Sequence, residues 1–459
     1  MWEAGTKALS RRELPSWEQR CSGIDLAPYR QRLHGLSSFR LSGTVQEAVG
    51  LLIASRGPWL PVGGICEVYP LHGGDPALAE VVGFKGEQTL LMPLGELHGV
   101  APRSKVVAVA KEARCFVSEG LLGRVIDGLG RPIDGKGILP ALCSYPLYAP
   151  VTNPLEREDI SQPLDLGVRA IGGLITCGKG QRVAIMAGSG VGKSTLLSMI
   201  ARYTRADVKI IALIGERGRE VQEFVERVLP PEDRERTVVI TATSADPPLV
   251  RVRGAFIATT IAEYFRDQGF DVLLLMDSLS RLAMAQREVG LAAGEPPSTK
   301  GYTPSVFALL PRLLERAGTW KGKGSITGLY TVLLEGDDPH EIISDTVRSL
   351  ADGHIHLSRR LAEQGHFPAI DVLPSVSRVR SRVTSSDHQR LVAELIRYLA
   401  AYRDTEDLIQ IGAYVNGKNP DVDRAIQLMP KIRRYLRQGE SEDANLETCV
   451  RELAELLAS

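Results

Sequence analysis

AGSGVGKST, Ala187 to Thr195, joins an apolar strand to a helix through a glycine-rich turn, and the architecture of the chain can be read outward from that join. Before it, Val183 to Ala187 form a continuous apolar run suited to a buried parallel strand. After it, Leu196, Leu197, Met199, Ile200 and Tyr203 recur at helical spacing. Gly188, Gly190 and Gly192, with Ser189 and Val191 between them, let the backbone turn tightly, so that several N–H groups converge on one anion at the positive end of the helix. Lys193 is placed to reach the outer phosphates of a nucleoside triphosphate, and Ser194, followed by Thr195, offers the hydroxyl that coordinates Mg²⁺ beside it. The glycine usual six residues before such a lysine is replaced by Ala187, which is still small and implies an altered turn entry.

From about Gly167 onward, strand-like runs alternate with helical ones. RVAIMA, VKIIALIG, TVVITAT, DVLLLMD, SITGLYTVLL and HIHLS read as strands, with GREVQEFVERVL and GAFIATTIAEYFRDQG as helical connections. This pattern predicts an α/β unit with a parallel sheet covered on both faces. Two strand ends carry chemistry. LLLMDS places Asp277 at the carboxyl edge of the sheet, where the phosphate loop also lies and where a carboxylate can hold Mg²⁺ through water. GERGRE, Gly215 to Glu220, places Glu216 across from the γ-phosphate, positioned to orient and polarise an attacking water, with Arg217 to balance phosphate charge. Glu220, one helical turn on, is a candidate to hold a Mg²⁺-bound water. The bland alternatives are a helix cap for Asp277 and a solvated charge cluster for GERGRE.

The flanks differ in texture. Residues 1–35 are charged, with a basic tilt, and contain Leu14, Trp17, Leu26 and Tyr29; they read either as a floppy extension or as an arm that orders on a partner. Residues 36–110 are short alternating runs cut by glycine and proline, which predicts a small β-barrel domain. Leu121 to Pro154, rich in glycine and proline, reads as ordered connecting loops. The α/β unit occupies 111–380. From 381 to 459 the sheet signal stops, and helices such as HQRLVAELIRYLAAYR and VRELAELLA predict a C-terminal helical domain.

Composition removes options. Lys plus Arg and Asp plus Glu both number 55, so there is no global pull toward nucleic acid or anionic membrane. No apolar run approaches the roughly 18 residues of a membrane span, and the first residues lack the apolar centre of a secretory signal, so a cytoplasmic protein is expected. The 6 cysteines are scattered singly without a CxxC pair, which argues against a disulfide frame or structural zinc. His354 and His356 share a strand face, but no carboxylate or thiol pattern accompanies them as a metal site.

AGSGVGKS, LIGERGREV, MDSLSRLAMAQRE, GEPPSTKGYTPSVFALLPRLLERAG, EGDD, DGHIHLSRRLAEQGHFPAID and SVSRV together resemble the type III secretion ATPases, in their flagellar protein-export branch, whose wider relatives are the catalytic subunits of rotary ATP synthases. The resemblance runs from about residue 40 to 430. It implies a RecA-like ATPase core between the barrel and the helical domain, a homo-oligomeric ring of six, and nucleotide between subunits. It implies that Phe367 lies against adenine, that Tyr414 of GAYVNGK completes the adenine pocket, and that Arg378 of SVSRV reaches into a neighbour's site, with Arg380 as fallback. It also implies that the N-terminal extension meets a regulatory partner.

The expectation is a Mg²⁺-dependent ATPase, with ATP and Mg²⁺ as ligands, serving export of flagellar proteins through a secretion apparatus. Its expected partners are regulatory and stalk proteins, export substrates and chaperones, at the cytoplasmic face of a membrane export gate, and no nucleic acid. The alternatives are a virulence-type secretion ATPase, a hexameric RecA-like nucleic-acid translocase and a non-catalytic nucleotide-binding ring subunit. Zero net charge and the lack of an aromatic, basic single-strand platform weigh against the translocase. Glu216 weighs against the last.

Overall fold

A computed structural model describes residues 39–140, 142–150, 153–228, 230–338 and 340–458. The expectations for residues 1–35 lie outside the described residues.

Six strands open the described chain: β1 (Ser42–Val49), β2 (Leu52–Arg56), β3 (Ile65–Val68), β4 (Ala77–Lys85), β5 (Gln88–Pro93) and β6 (Lys105–Ala110). They close into a barrel in the order β1-β2-β5-β4-β3-β6. Alternation along the strands sends Val45, Ile53, Cys66, Val68, Ala79, Val81, Leu91 and Val106 into its interior. A second apolar cluster, in which Met92 and Leu94 meet Leu249, Val250 and Val289, seats the barrel on the next unit. At the same junction Glu80 of β4 is buried against Arg253 and accepts a 2.9 Å hydrogen bond from Tyr148.

Three short strands follow, β7 (Arg114–Val117), β8 (Val125–Asp127) and β9 (Cys143–Pro146), then β10 (Pro163–Leu164) and β11 (Cys177–Gly178). β8 corrects the expectation that Leu121 to Pro154 is only connecting loop. It pairs in parallel with a strand of the central sheet and buries Ile126. Three residues amid glycines carry too little periodicity to announce a strand; the sheet edge beside them supplies the hydrogen bonds.

The central sheet adds β12 (Arg182–Ala187), β13 (Val208–Ile214), β14 (Thr237–Ala242), β15 (Asp271–Asp277), β16 (Gly318–Thr319), β17 (Ser325–Leu333), β18 (Gly353–Leu357) and β19 (Ile370–Ser377). Its order is β19-β18-β12-β17-β15-β13-β14-β8, with β16 paired to β17. The strands from β18 to β8 run parallel, but β19 is antiparallel to β18, so the sheet is mixed at one edge. Between β18 and β19 the chain makes only the short helix Arg359–Glu363 and turns back, too little for the crossover that a parallel neighbour needs.

Because side chains alternate, each strand feeds two cores. Ala184, Met186, Ile210, Ala212, Leu274 and Met276 pack with helices Pro248–Asp267, Leu279–Ala292 and Pro304–Leu314. Val183, Ile185, Ile211, Leu213, Leu273 and Leu275 face the opposite side. There they join helix Lys193–Tyr203 and, through Leu395, Leu428, Ile432 and Leu453, the C-terminal helices Ser386–Gln410, Pro420–Leu436 and Leu446–Ala458. Among the described residues no helix is long and apolar enough to cross a membrane.

Candidate active site

Parallel strands bring their carboxyl ends to one edge, and the candidate residues gather there. The turn after β12 is built on Gly190 at φ +75° and Gly192 at φ +90°, a left-handed region that costs glycine nothing. Gly192 caps the helix that begins at Lys193. The Lys193 ammonium donates to Asp277 Oδ1 at 2.5 Å, at the end of β15, and lies 3.4 Å from Glu216 Oε1, just past the end of β13. Asp277 Oδ1 also accepts from Thr331 Oγ1 at 2.6 Å, so β17 fixes the carboxylate from its other side. Ser194 is exposed in the first turn of the phosphate-loop helix.

Glu216 and Asp277 are each only 6% exposed. Burial is the largest influence on the Glu216 carboxyl and pushes its pKa above that of an ordinary glutamate; Lys193 and Arg281 pull it down, while a hydrogen bond with Glu220 pushes it up. Arg281 Nε stands 3.5 Å from Glu216 Oε1. Arg217 behaves differently: its side chain is 79% exposed, and its Nε lies 3.9 Å from Glu220 Oε1 at the rim. Lys193, Asp277 and Glu216 are thus one contact cluster, with Glu220 reaching it and Arg217 outside.

Phe367 lies over the end of the phosphate loop: its Cδ1 and Cε1 are 3.3 Å from where a Cβ on Gly192 would stand. It borders a cavity of about 1220 Å³ whose other walls include Arg433, Arg437, Gln438 and Gly439. Its carbonyl accepts from the Gln438 N–H at 3.0 Å. Tyr414 does not line that cavity; its hydroxyl donates to Asp423 Oδ1 at 2.8 Å within the C-terminal helices. Arg378 is exposed at the opposite edge of the sheet, where its N–H donates to the Asp352 carbonyl at 2.9 Å beside the start of β12. The length of β12 separates that level from the phosphate loop, about 16 Å at roughly 3.3 Å per residue. Arg380 is committed elsewhere, donating to the Leu174 carbonyl at 3.1 Å.

Sequence reasoning missed Arg281, Thr331 and the wall from Arg433 to Gly439. Arg281 had a signal, because it falls in the first turn of the helix that begins at Leu279, two residues after Asp277. The others had none, since they meet the site only through tertiary contacts.

With this geometry in place, comparison with known proteins gives three findings. Residues 167–377 match the ATP synthase alpha/beta family, nucleotide-binding domain, and residues 384–455 match the C-terminal domain of the type III secretion ATPase EscN. The chain is 50% identical over 420 residues to the flagellum-specific ATP synthase of Bacillus subtilis, covering 91% of this chain and 96% of that protein. It is 49% identical over 415 residues to the SPI-2 type 3 secretion system ATPase of Salmonella typhimurium, covering 90% and 94%. The assembled ATPase EscN of the enteropathogenic E. coli type III secretion system superposes with a TM-score of 0.86 at 45% identity, over 90% of this chain and 100% of that one. EscN in complex with its central stalk EscO gives 0.84, with the same identity and coverage.

Proposed function

Since the chain belongs to the ATP synthase alpha/beta family, in the group of flagellum-specific ATP synthases and type III secretion ATPases, it is an ATPase, and we propose that it hydrolyses Mg²⁺-ATP in a ring of like subunits to drive protein export, in the flagellar branch. One observation carries the chemistry: a lysine at a phosphate loop is flanked, within hydrogen-bond reach, by two buried carboxylates on neighbouring strand ends. Division of labour follows. Lys193 leaves its carboxylate partners for the β- and γ-phosphates. Glu216, whose raised pKa reflects a dry setting, holds and polarises the water that attacks phosphorus in line, and takes up its proton. Arg217 balances phosphate charge after its side chain turns inward from the rim.

The donors suit Mg²⁺. Among the described residues there is no group of three or more His, Cys, Asp and Glu that could hold a metal by itself. Mg²⁺ asks for less than that: one or two protein oxygens, with the remaining positions filled by substrate phosphates and water. Ser194 would supply the protein oxygen and Asp277 would hold the ion through water, with Glu220 at the margin. An ion held there would supply positive charge against the phosphates of the bound nucleotide.

Phe367 presents a ring face for adenine, and stacking there needs no hydroxyl. The second wall is the Arg433–Gly439 stretch rather than Tyr414. Arg378 lies far from its own chain's phosphate loop, which suits a guanidinium that acts on the nucleotide of a neighbouring subunit. The assembled EscN relatives support an oligomer of like subunits, and the EscO complex supports a central-stalk partner.

Phosphate release from ATP by the full chain, with and without chelation of Mg²⁺, tests the enzymatic reading. Unaltered turnover after chelation sinks the metal assignment. Stimulation by a single-stranded polynucleotide points instead to a translocase. For the branch, restored motility of a cell lacking its flagellar export ATPase supports the flagellar reading, and restored effector secretion alone moves the protein to the virulence type.

A further inference from the structure

The front half of the phosphate loop is held from outside by a pair that no part of the reaction scheme uses. Gly188 has no left-handed backbone to require glycine; its constraint is spatial, because a Cβ there would lie 1.8 Å from Asp337 Oδ1. Asp337 follows the end of β17 and sits at φ +59°, a conformation that aspartate adopts more readily than most residues. Its carboxylate is paired with the guanidinium of Arg359, at the start of the short helix after β18. The same guanidinium donates through Nη2 to the Ser189 carbonyl at 2.9 Å. Two loops from separate strands therefore meet on two consecutive residues of the phosphate loop, one filling the space over Gly188 and the other bonded to the carbonyl of Ser189.

We propose that Asp337 and Arg359 form a latch that holds the phosphate loop in its anion-receiving shape, and so set ATP affinity without taking part in the chemical step. The inference rests on the nucleotide-site reading above. Neither side chain reaches Lys193, Glu216 or Asp277 through any described hydrogen bond or ion pair, which makes them positioning residues. A loop already curved around the phosphate site binds without first having to order itself, and that ordering is a cost paid in affinity. Arg359 suits the task because its planar fork serves a carboxylate and a carbonyl together, whereas lysine presents a point charge.

The test uses the full chain. Arg359→Gln and Asp337→Asn each raise the dissociation constant of a fluorescent ATP analogue, and KM for ATP, about fivefold, with kcat within about twofold of the parent. The double variant loses no more than the worse single one, since both act through one bonded unit. Arg359→Lys recovers less than half of the loss. Amide hydrogen exchange over residues 187–192 of the nucleotide-free protein quickens in the variants, while the β13 and β15 amides keep the parent rate. Unchanged affinity and exchange in both single variants, additive losses in the double one, or a fall in kcat at constant KM overturns the latch. A parent chain that binds no ATP analogue refutes the nucleotide-site reading itself.

Discussion

Replacing Glu216 with glutamine keeps the shape of a side chain that is 6% exposed and removes its charge. The carboxylate faces Lys193 at 3.4 Å and Arg281 at 3.5 Å, and Lys193 keeps its 2.5 Å contact with Asp277 after the change. ATP binding should therefore survive within a few-fold. Turnover should fall by roughly 10² to 10⁴, the range for losing a positioned base, which corresponds to about 3–5 kcal/mol of barrier. The fold should not suffer. Burial outweighs the two cations and raises the folded-state pKa above the unfolded value, so the folded chain holds the Glu216 proton more tightly. The stability linked to that proton is present in full below the unfolded pKa and is lost as pH rises through the folded one; at neutral pH the glutamine variant should melt no lower than the parent. The parent's turnover should show an acid limb with a midpoint above an ordinary glutamate's 4.5, and the variant should lack it. Phosphate release at saturating ATP, binding of a fluorescent ATP analogue and thermal melts across pH measure all three. Turnover within tenfold of the parent, or loss of ATP binding with the fold intact, refutes the assignment of Glu216 as the base.

Other outcomes follow from the same geometry. Lys193→Ala should weaken ATP-analogue binding at least tenfold, separating its role from that of Glu216; unchanged affinity removes it from the phosphates. Arg378→Ala should lower turnover by roughly 10³ with affinity little changed, and mixing it with Glu216→Gln should restore activity in co-assembled rings, because one interface can then pair an intact Glu216 with an intact Arg378. No recovery in rings shown to be mixed ends the trans role. Leu428→Ala, at a residue 1% exposed on the C-terminal side, should cost about 2–5 kcal/mol in urea unfolding. Deleting residues 2–30 should leave nucleotide binding intact and abolish capture of cytosolic partners; equal capture by both forms defeats the partner-arm idea.

Much of the site was legible because its signals are local. A glycine-rich turn after an apolar run, and acids just after two further runs, place Lys193, Glu216 and Asp277 on one sheet edge by topology alone. Arg217 shows the limit of that logic, because strand order alone does not say where its long side chain rests, which is at the rim beside Glu220. β8 was invisible because it consists of three residues whose partners lie over a hundred positions away. The motif places Tyr414 only by sequence; in the fold its hydroxyl donates to Asp423, and the residue bonded to the Phe367 carbonyl is Gln438, just after Pro420–Leu436. The Asp337–Arg359 pair was equally hidden: EGDD and HLSRRL were both noticed, yet only folding brings them to Gly188 and Ser189.

The C-terminal helices belong to the same buried cluster as the phosphate-loop helix, and they reach it across helix Arg169–Leu174, where Cys449 packs against Gly172 and Tyr435 against Gly173. A boundary drawn near residue 381 is thus a convenience of notation rather than a seam. Grafting this helical region onto a related ATPase would transplant half of a jigsaw, and a workable chimaera would have to carry the buried side of Arg169–Leu174 with it. Natural drift meets the same constraint: a tail exchange that alters volume against Arg169–Leu174 needs a matching change on that helix, because residues in contact do not vary independently.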